Sequence, residues 1–334
     1  MKKILFVTNY NPGGGGISSQ VDLLRKYLDE EHVVTSVFST KGNVWHRLKA
    51  YFKLKRIGNN FDVFHIHACS DFGFLPAVFG VRVGRKLGKR IVLTYHGGDA
   101  ERFFDKHPRL VRHFLLRTDV NIVLSGFIAK VFEKHDIPYE IIPNVIELDE
   151  SKFRQREVIR PSFISIRSFT PTYNIECTLR AFQRVKQQLP DATLTLLGDG
   201  PLREDLKGFV RSNDIKDVTF VGVVPNEKIY DYLDKADVML SSPRIDNMPV
   251  SILEGMNAGL LVISSRVGGV PYMIDDGVNG LLFDSGNDEK MAEKMMKAVS
   301  TSDDSMKMIL NSKHDLYRYS WSTIKNKLFN AYNL

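Results

Sequence analysis

Asp246 and Glu254 stand eight positions apart in Asp246-Asn247-Met248-Pro249-Val250-Ser251-Ile252-Leu253-Glu254-Gly255, just after the apolar run ADVMLSS at 236–242. Pro249 suits the first turn of a helix, and Gly259 suits its end. That helix places Asp246 in the preceding loop, leaves the first N–H groups, those of Val250 and Ser251, unpaired, and sets Glu254 about one turn further in. Carboxylates suit polyol hydroxyls, and a helix N-terminus suits a diphosphate. The expected chemistry is the holding of one ligand that carries both.

Other segments carry groups of the same kind. Gly13-Gly14-Gly15-Gly16 follows the first apolar run and opens a helix near Ile17, so freed backbone N–H groups meet no side chains there. The spacing is not GxGxxG with an acid about 20 positions on, which argues against a dinucleotide fingerprint. A plain turn is the other reading. His96, in TYHGGDA, ends a strongly apolar strand and is followed by two glycines that let a ligand approach the backbone. It can donate to a hydroxyl or stabilise charge, or serve as a structural histidine. His65 and His67 share one face of a strand as an i, i+2 pair. With no cysteine or carboxylate cluster beside them, packing is the favoured reading and a metal site the other.

These groups need a scaffold. A chain of 334 residues is long enough for two ordinary domains, and 43% hydrophobic with 25% charged residues is normal globular composition. Short β-branched runs (KILFVT, DVFHIH, RIVLTYH, DVNIVL, then FISIR, TLTLLG, DVTFVG, ADVMLSS, LLVISS) alternate with helix-period segments. Strands alternating with helices predict parallel sheets covered on both faces. Ile17, Val21, Leu24 and Leu28 share one face of the first helix. The polar stretch PNVIELDESKFRQREVIRP, at 143 to about 162, breaks the pattern and predicts an interdomain linker. The expected organisation is α/β, with two Rossmann-like doubly wound halves at 1–155 and 156–312 and a helix within 313–334 packing back on the first. Ligands are expected at the carboxyl ends of the strands.

The ordered set of motifs resembles the retaining glycosyltransferases of the family 4 type, which have the GT-B fold of two such domains facing a cleft. The set comprises the glycine loop at 13–16, HGGD at 96–99, PNV at 143–145, GDGPL at 198–202, the acid-x7-acid stretch, GGVP at 268–271 and DDGVNGLL at 275–282. The resemblance implies that Glu254 holds the nucleotide ribose and that Asp246 contacts the donor sugar. It makes Arg167, closing FISIR, the cation on the leaving diphosphate and places His96 near the transferred sugar. Gly15, Gly16, Asn144, Gly198, Asp199, Asn247, Met248, Pro249, Val250 and Ser251 are then donor-binding positions. The implied reaction is metal-independent transfer from a nucleoside-diphosphate sugar, UDP favoured, to a glycan or lipid-linked acceptor. The implied setting is bacterial surface polysaccharide or glycolipid assembly, with no cofactor beyond the donor. Three departures stand out: Asp246 where glutamate is usual, Tyr173-Asn174 where lysine and glycine are common, and Tyr272 where an acid often follows GGVP. They keep a non-catalytic nucleotide-sugar-binding subunit open as an alternative, beside a nucleotide-sugar epimerase of the same fold.

A net charge of +7 favours anionic partners. No nucleic-acid module or aromatic-basic stacking motif is present, so nucleic acid is not expected. The basic surplus gathers in WHRLKAYFKLKR at 45–56 and RLVRHFLLR at 109–117, and the second is amphipathic on a helical wheel. Both docking on anionic lipid and packing by one face fit such segments. No apolar stretch is long enough to span a bilayer, and no export signal is recognisable at the N-terminus. Cys69 and Cys177 form no disulfide pattern. The expectation is a cytoplasmic protein, peripheral to the membrane if it touches one.

Overall fold

The computed structural model describes residues 2–12, 15–42 and 44–334; the side chains of 44–49 are outside the description, as are Gly13 and Gly14 of the glycine loop. The chain divides into two compact units, 1–147 with 319–334, and 148–318. Each is an α/β layered structure with its own core.

The first unit holds β1 (Lys3–Thr8), β2 (Val34–Ser39), β3 (Val63–Ala68), β4 (Arg90–Tyr95), β5 (Val120–Val123) and β6 (Glu140–Ile141). They form one parallel sheet in the order β2-β1-β3-β4-β5-β6. Strands β1 and β3 are buried almost throughout, as strands covered on both faces are; in β3 that burial takes in His65 and His67 along with the apolar residues. From β1 the chain first moves outward to β2 and then returns to β3 on the other side, so the topological switch lies between β1 and β3. The helix Gly16–Glu30 turns Val21, Leu24 and Leu28 into the core. The helix Trp321–Tyr332 also belongs to this unit and buries Ile324, Leu328, Ala331 and Tyr332 beside Ile4, Phe6 and Val92.

The second unit holds β7 (Ser162–Ile166), β8 (Thr193–Leu197), β9 (Val218–Gly222), β10 (Val238–Ser241), β11 (Leu261–Ser265) and β12 (Leu281–Phe283). Its parallel sheet runs β12-β11-β10-β7-β8-β9, which puts the switch between β7 and β10. Any ligand-binding crevice of this unit is therefore expected where those two strands end. The polar segment after 148 is strapped onto the opposite end of β10. There Asp237, fully buried, accepts from Arg154, from Arg156 Nε at 3.0 Å and from Arg160 Nε at 2.9 Å. Arg156 also donates to the Gly259 carbonyl. These arginines hold Asp237 down at about 2, against the pull of burial.

Among the described residues no helix is long and apolar enough to cross a membrane. In the helix Pro108–Leu115 the apolar side of the wheel faces the core, with Val111, Phe114 and Leu115 buried and Leu110 left exposed. In the helix Val44–Gly58, Leu54 is buried, whereas Phe52 is 70% exposed beside the exposed Lys53 and Arg56.

Candidate functional site

At the switch of the second sheet, Arg167 follows the last residue of β7 and Asp246 stands in the loop after β10. Arg167 Nη1 lies 3.3 Å from Asp246 Oδ2, and its Nη2 donates to Ser241 Oγ at 2.8 Å. Its guanidinium carbon sits 5.3 Å from the centroid of the Tyr173 ring, a stacking distance for a cation on an aromatic face. Arg167 Nε and Ser251 Oγ are buried without a hydrogen-bond partner among the described residues. Burial pushes the Asp246 carboxyl up, while Arg167 and the Asn247 N–H pull it down.

The helix Val250–Asn257 begins after Pro249, with no side-chain cap on its first turn. Its leading N–H groups are thus left for another acceptor. Asn247 and Met248 are buried in the approach to it, and the Asn247 N–H donates to Asp246 Oδ1 at 2.8 Å. One turn in, the part-buried Glu254 has its carboxyl raised to about 7 by burial, against the lowering charges of Arg167 and Lys152. An anionic diphosphate and a hydroxyl-rich sugar match this combination of one cation, two carboxylates and an open helix end.

Two glycines make the arrangement sterically feasible. Gly268 has φ +52°, and a Cβ there would stand 1.9 Å from the Asp246 carbonyl oxygen; the Gly269 N–H donates to that same oxygen at 3.0 Å. Gly198, at φ +137°, passes equally close to the Arg167 carbonyl. Asp199, next in the chain, accepts from the Gly200 N–H at 2.7 Å and pairs with Arg203 at 2.8 Å, so it braces its own turn. Tyr173 and Asn174 are anchored as well, because the Ser242 hydroxyl shares its one hydrogen between the Asn174 carbonyl at 2.9 Å and the Tyr173 carbonyl at 3.2 Å.

His96, Asn144, Gly15 and Gly16 belong to the first unit. Gly15 caps the helix Gly16–Glu30 at φ +78°, with open space where a side chain would go. His96 Nε2 lies 2.8 Å from His67 Nδ1, and both rings, with Asn144 and Gln20, line a cavity of about 20 Å³. Gln20 fixes the PNV segment by pairing with both backbone groups of Val145. His65 Nε2 meets Thr94 Oγ1 at 2.8 Å and its Nδ1 meets the Tyr332 hydroxyl at 2.7 Å. His65 and His67 therefore pair with hydroxyl and histidine partners inside the unit, in keeping with the packing reading. Burial lowers His65 and His96 to about 3 and His67 well below its ordinary value, so all three are neutral.

Sequence reasoning did not single out Ser241, the ring of Tyr173 as a partner of Arg167, or His67 as a partner of His96. Ser241 meets Arg167 through the β7–β10 adjacency, which the linear order hides, and Tyr173 meets it because the turn after β7 folds back on the arginine six residues before it. The i, i+2 spacing of His65 and His67 was the one available sign of the third.

Comparison with known proteins agrees with this architecture. The family profile described as glycosyl transferases group 1 matches residues 149–315, and that of glycosyltransferase family 4 matches residues 14–150. Among relatives, the amylovoran biosynthesis glycosyltransferase AmsK of Erwinia amylovora is 26% identical over 75% of this chain; the match spans 64% of AmsK, under two thirds of its length. The uncharacterized glycosyltransferase MJ1178 of Methanocaldococcus jannaschii is 23% identical, over 96% of this chain and 94% of its own. Among solved structures, sucrose-phosphate synthase from Thermosynechococcus elongatus superposes with a TM-score of 0.84 at 17% identity, covering 100% of this chain and 98% of that one. HepE of Anabaena in complex with UDP-glucose superposes with a TM-score of 0.81 at 16% identity, covering 100% of both chains. The two sheets, their switch points and these matches agree, and the chain belongs to the group 1 glycosyltransferases of the family 4 type, with the GT-B fold.

Proposed function

We propose that the protein transfers a sugar from a nucleoside-diphosphate sugar, with UDP as the favoured base, to a glycan or lipid-linked acceptor, with retention and without a metal ion. The observation that carries the reading is the convergence of Arg167, Asp246, Glu254 and an uncapped helix end at the switch of the second sheet. Arg167 and the N–H groups of Val250 and Ser251 stabilise the diphosphate as the sugar–phosphate bond breaks, the work a divalent cation does elsewhere. Glu254 accepts from the ribose hydroxyls and Asp246 from a sugar hydroxyl, while His96 serves the transferred sugar. Retention follows from attack of the acceptor hydroxyl on the face the leaving group vacates. Support for UDP comes from HepE, whose structures contain UDP and UDP-glucose. Support for a polysaccharide acceptor comes from AmsK and from WcaL of Escherichia coli, named for amylovoran and colanic acid biosynthesis.

Incubation with radiolabelled UDP-sugars, with and without chelator, tests this reading. Transfer, or slow donor hydrolysis, that persists in chelator is the expected result. Isomerised donor would identify an epimerase, and tight binding without turnover a non-catalytic subunit.

The exposed Phe52, with Lys53 and Arg56 beside it, is the proposed contact with anionic lipid. Flotation with phosphatidylglycerol vesicles is expected to weaken in Phe52→Glu at moderate salt. Equal flotation of both proteins excludes that contact.

A further inference from the structure

We propose that the hydrogen bonds from Tyr332 through His65, Thr94 and His67 to His96 all point one way, with one internal water joining Thr94 to His67 Nε2, so that His96 meets its ligand as an Nδ1–H donor. The ligand side of this statement rests on the reading that His96 serves the transferred sugar. His67 is then a positioning residue, and the C-terminal helix supplies the first proton of the chain.

Tyr332 is fully buried, and the partner of its hydroxyl is His65 Nδ1 at 2.7 Å. If the phenol accepted there, its own hydrogen would be stranded in the core, so it donates. A neutral His65 then carries its proton on Nε2 and gives it to Thr94 Oγ1, 2.8 Å away. Thr94 keeps a hydroxyl hydrogen to donate in turn. The β3–β4 register sets Thr94 directly beside His67.

His67 Nε2 is buried without a protein partner among the described residues. His65, His67, Thr94 and His96 all line the cavity of about 20 Å³, and a volume above about 10–15 Å³ admits one water. A water that accepts from Thr94 and donates to His67 Nε2 satisfies both groups. His67 must then carry its proton on Nδ1, which it donates to His96 Nε2 at 2.8 Å. A neutral His96 holds its own proton on Nδ1, the nitrogen that His67 leaves unused. The burial that keeps these rings uncharged makes the tautomers mutually dependent.

Long-range ¹⁵N–¹H spectra of the full chain labelled at histidine read the tautomers directly. The expected pattern is a protonated Nε2 for His65 and a protonated Nδ1 for both His67 and His96; a bare Nδ1 on His96 overturns the proposal. His67→Phe should mix the His96 tautomers and lower kcat by about tenfold, the low end of the loss when the partner orienting a metal-bound histidine is removed, while KM for the donor stays within about threefold. His67→Asn, whose amide N–H stands in for Nδ1–H, should restore most of both, and equal loss in the two variants also overturns it. The expected tautomers in a protein that turns over no nucleotide sugar would uphold the hydrogen-bond chain and overturn the donor reading instead.

Discussion

Arg167 ties the end of β7 to the loop after β10, with Nη1 3.3 Å from Asp246 Oδ2 and Nη2 bonded to Ser241 in β10 itself. The cation is therefore fixed before any ligand arrives, at the place where the strand order of this sheet reverses. Preorganised charge of this kind acts on a developing anion without reorganisation at the moment of reaction.

Arg167→Ala removes that charge and leaves the part-buried Asp246 without its cation. Turnover is expected to fall by about 100-fold or more, the usual loss when one such donor is deleted. Arg167→Lys should recover only part of it, because a lysine cannot reach Asp246 and Ser241 together and stacks less well on Tyr173. Single-turnover rates with saturating donor measure the effect.

Glu254 gives the site a pH dependence of definite sign. Its carboxyl is raised to about 7, and the ionised form is the one that accepts from ribose hydroxyls. Nucleotide affinity should fall as pH drops through 7, by nearly tenfold for each unit below about 6. Glu254→Gln should flatten the profile, as read from UDP titrations at a series of pH values.

The same group carries a folding cost. With a folded value of about 7 above the ordinary 4.5, its contribution is fully present below 4.5 and lost as pH rises through 7. Glu254→Gln is therefore expected to raise Tm at pH 8 while giving no gain near pH 4.5. Thermal melts at the two pH values decide it.

Gly268 and Gly15 both have positive φ, yet they should respond differently to alanine. At Gly268 the new Cβ would meet the Asp246 carbonyl at 1.9 Å, so the loop carrying Asp246 must shift and activity should be lost. At Gly15 nothing stands in the way, and only the backbone cost remains, about 1–3 kcal/mol for a φ of +78° with ψ 151°, a region that glycine alone adopts readily. Melts and donor turnover of the two variants separate steric from conformational cost.

Asp237 serves as a structural control away from the candidate site. Asp237→Ala leaves the buried Arg156 without its counter-charge, a loss of about 3–5 kcal/mol when one partner of a buried pair is removed. Because the carboxyl is held at about 2, its stabilisation is present above the ordinary 3.8 and fades as pH falls through 2. Denaturant unfolding of wild type between pH 2 and 5 should show that decline.

Much of this was visible in the sequence because two periodicities expose it. Buried parallel strands read as unbroken apolar runs, and Pro249 with Gly259 brackets the helix that fixes Glu254 relative to Asp246. Strand β2 reads less plainly because polar residues interrupt VTSVFS, and β6 has only two residues. Close approaches were hidden too. Nothing in GGVP tells that Gly268 presses on Asp246, and nothing in FISIR tells that Ser241 will stand beside Arg167, because strand order brings them together. The amphipathic wheel of 109–117 was real, but the core takes up most of its apolar face through Val111, Phe114 and Leu115.

Calorimetric titration of UDP into the wild-type chain and into Glu254→Ala, with circular dichroism to confirm equal folding, addresses the central claim most directly. A single saturable site in the wild type, weakened by about 100-fold or more in the variant, is the predicted result for loss of a part-buried charged acceptor. Equal affinity in the two proteins, or no binding of UDP, GDP or ADP to the wild type, would contradict the account.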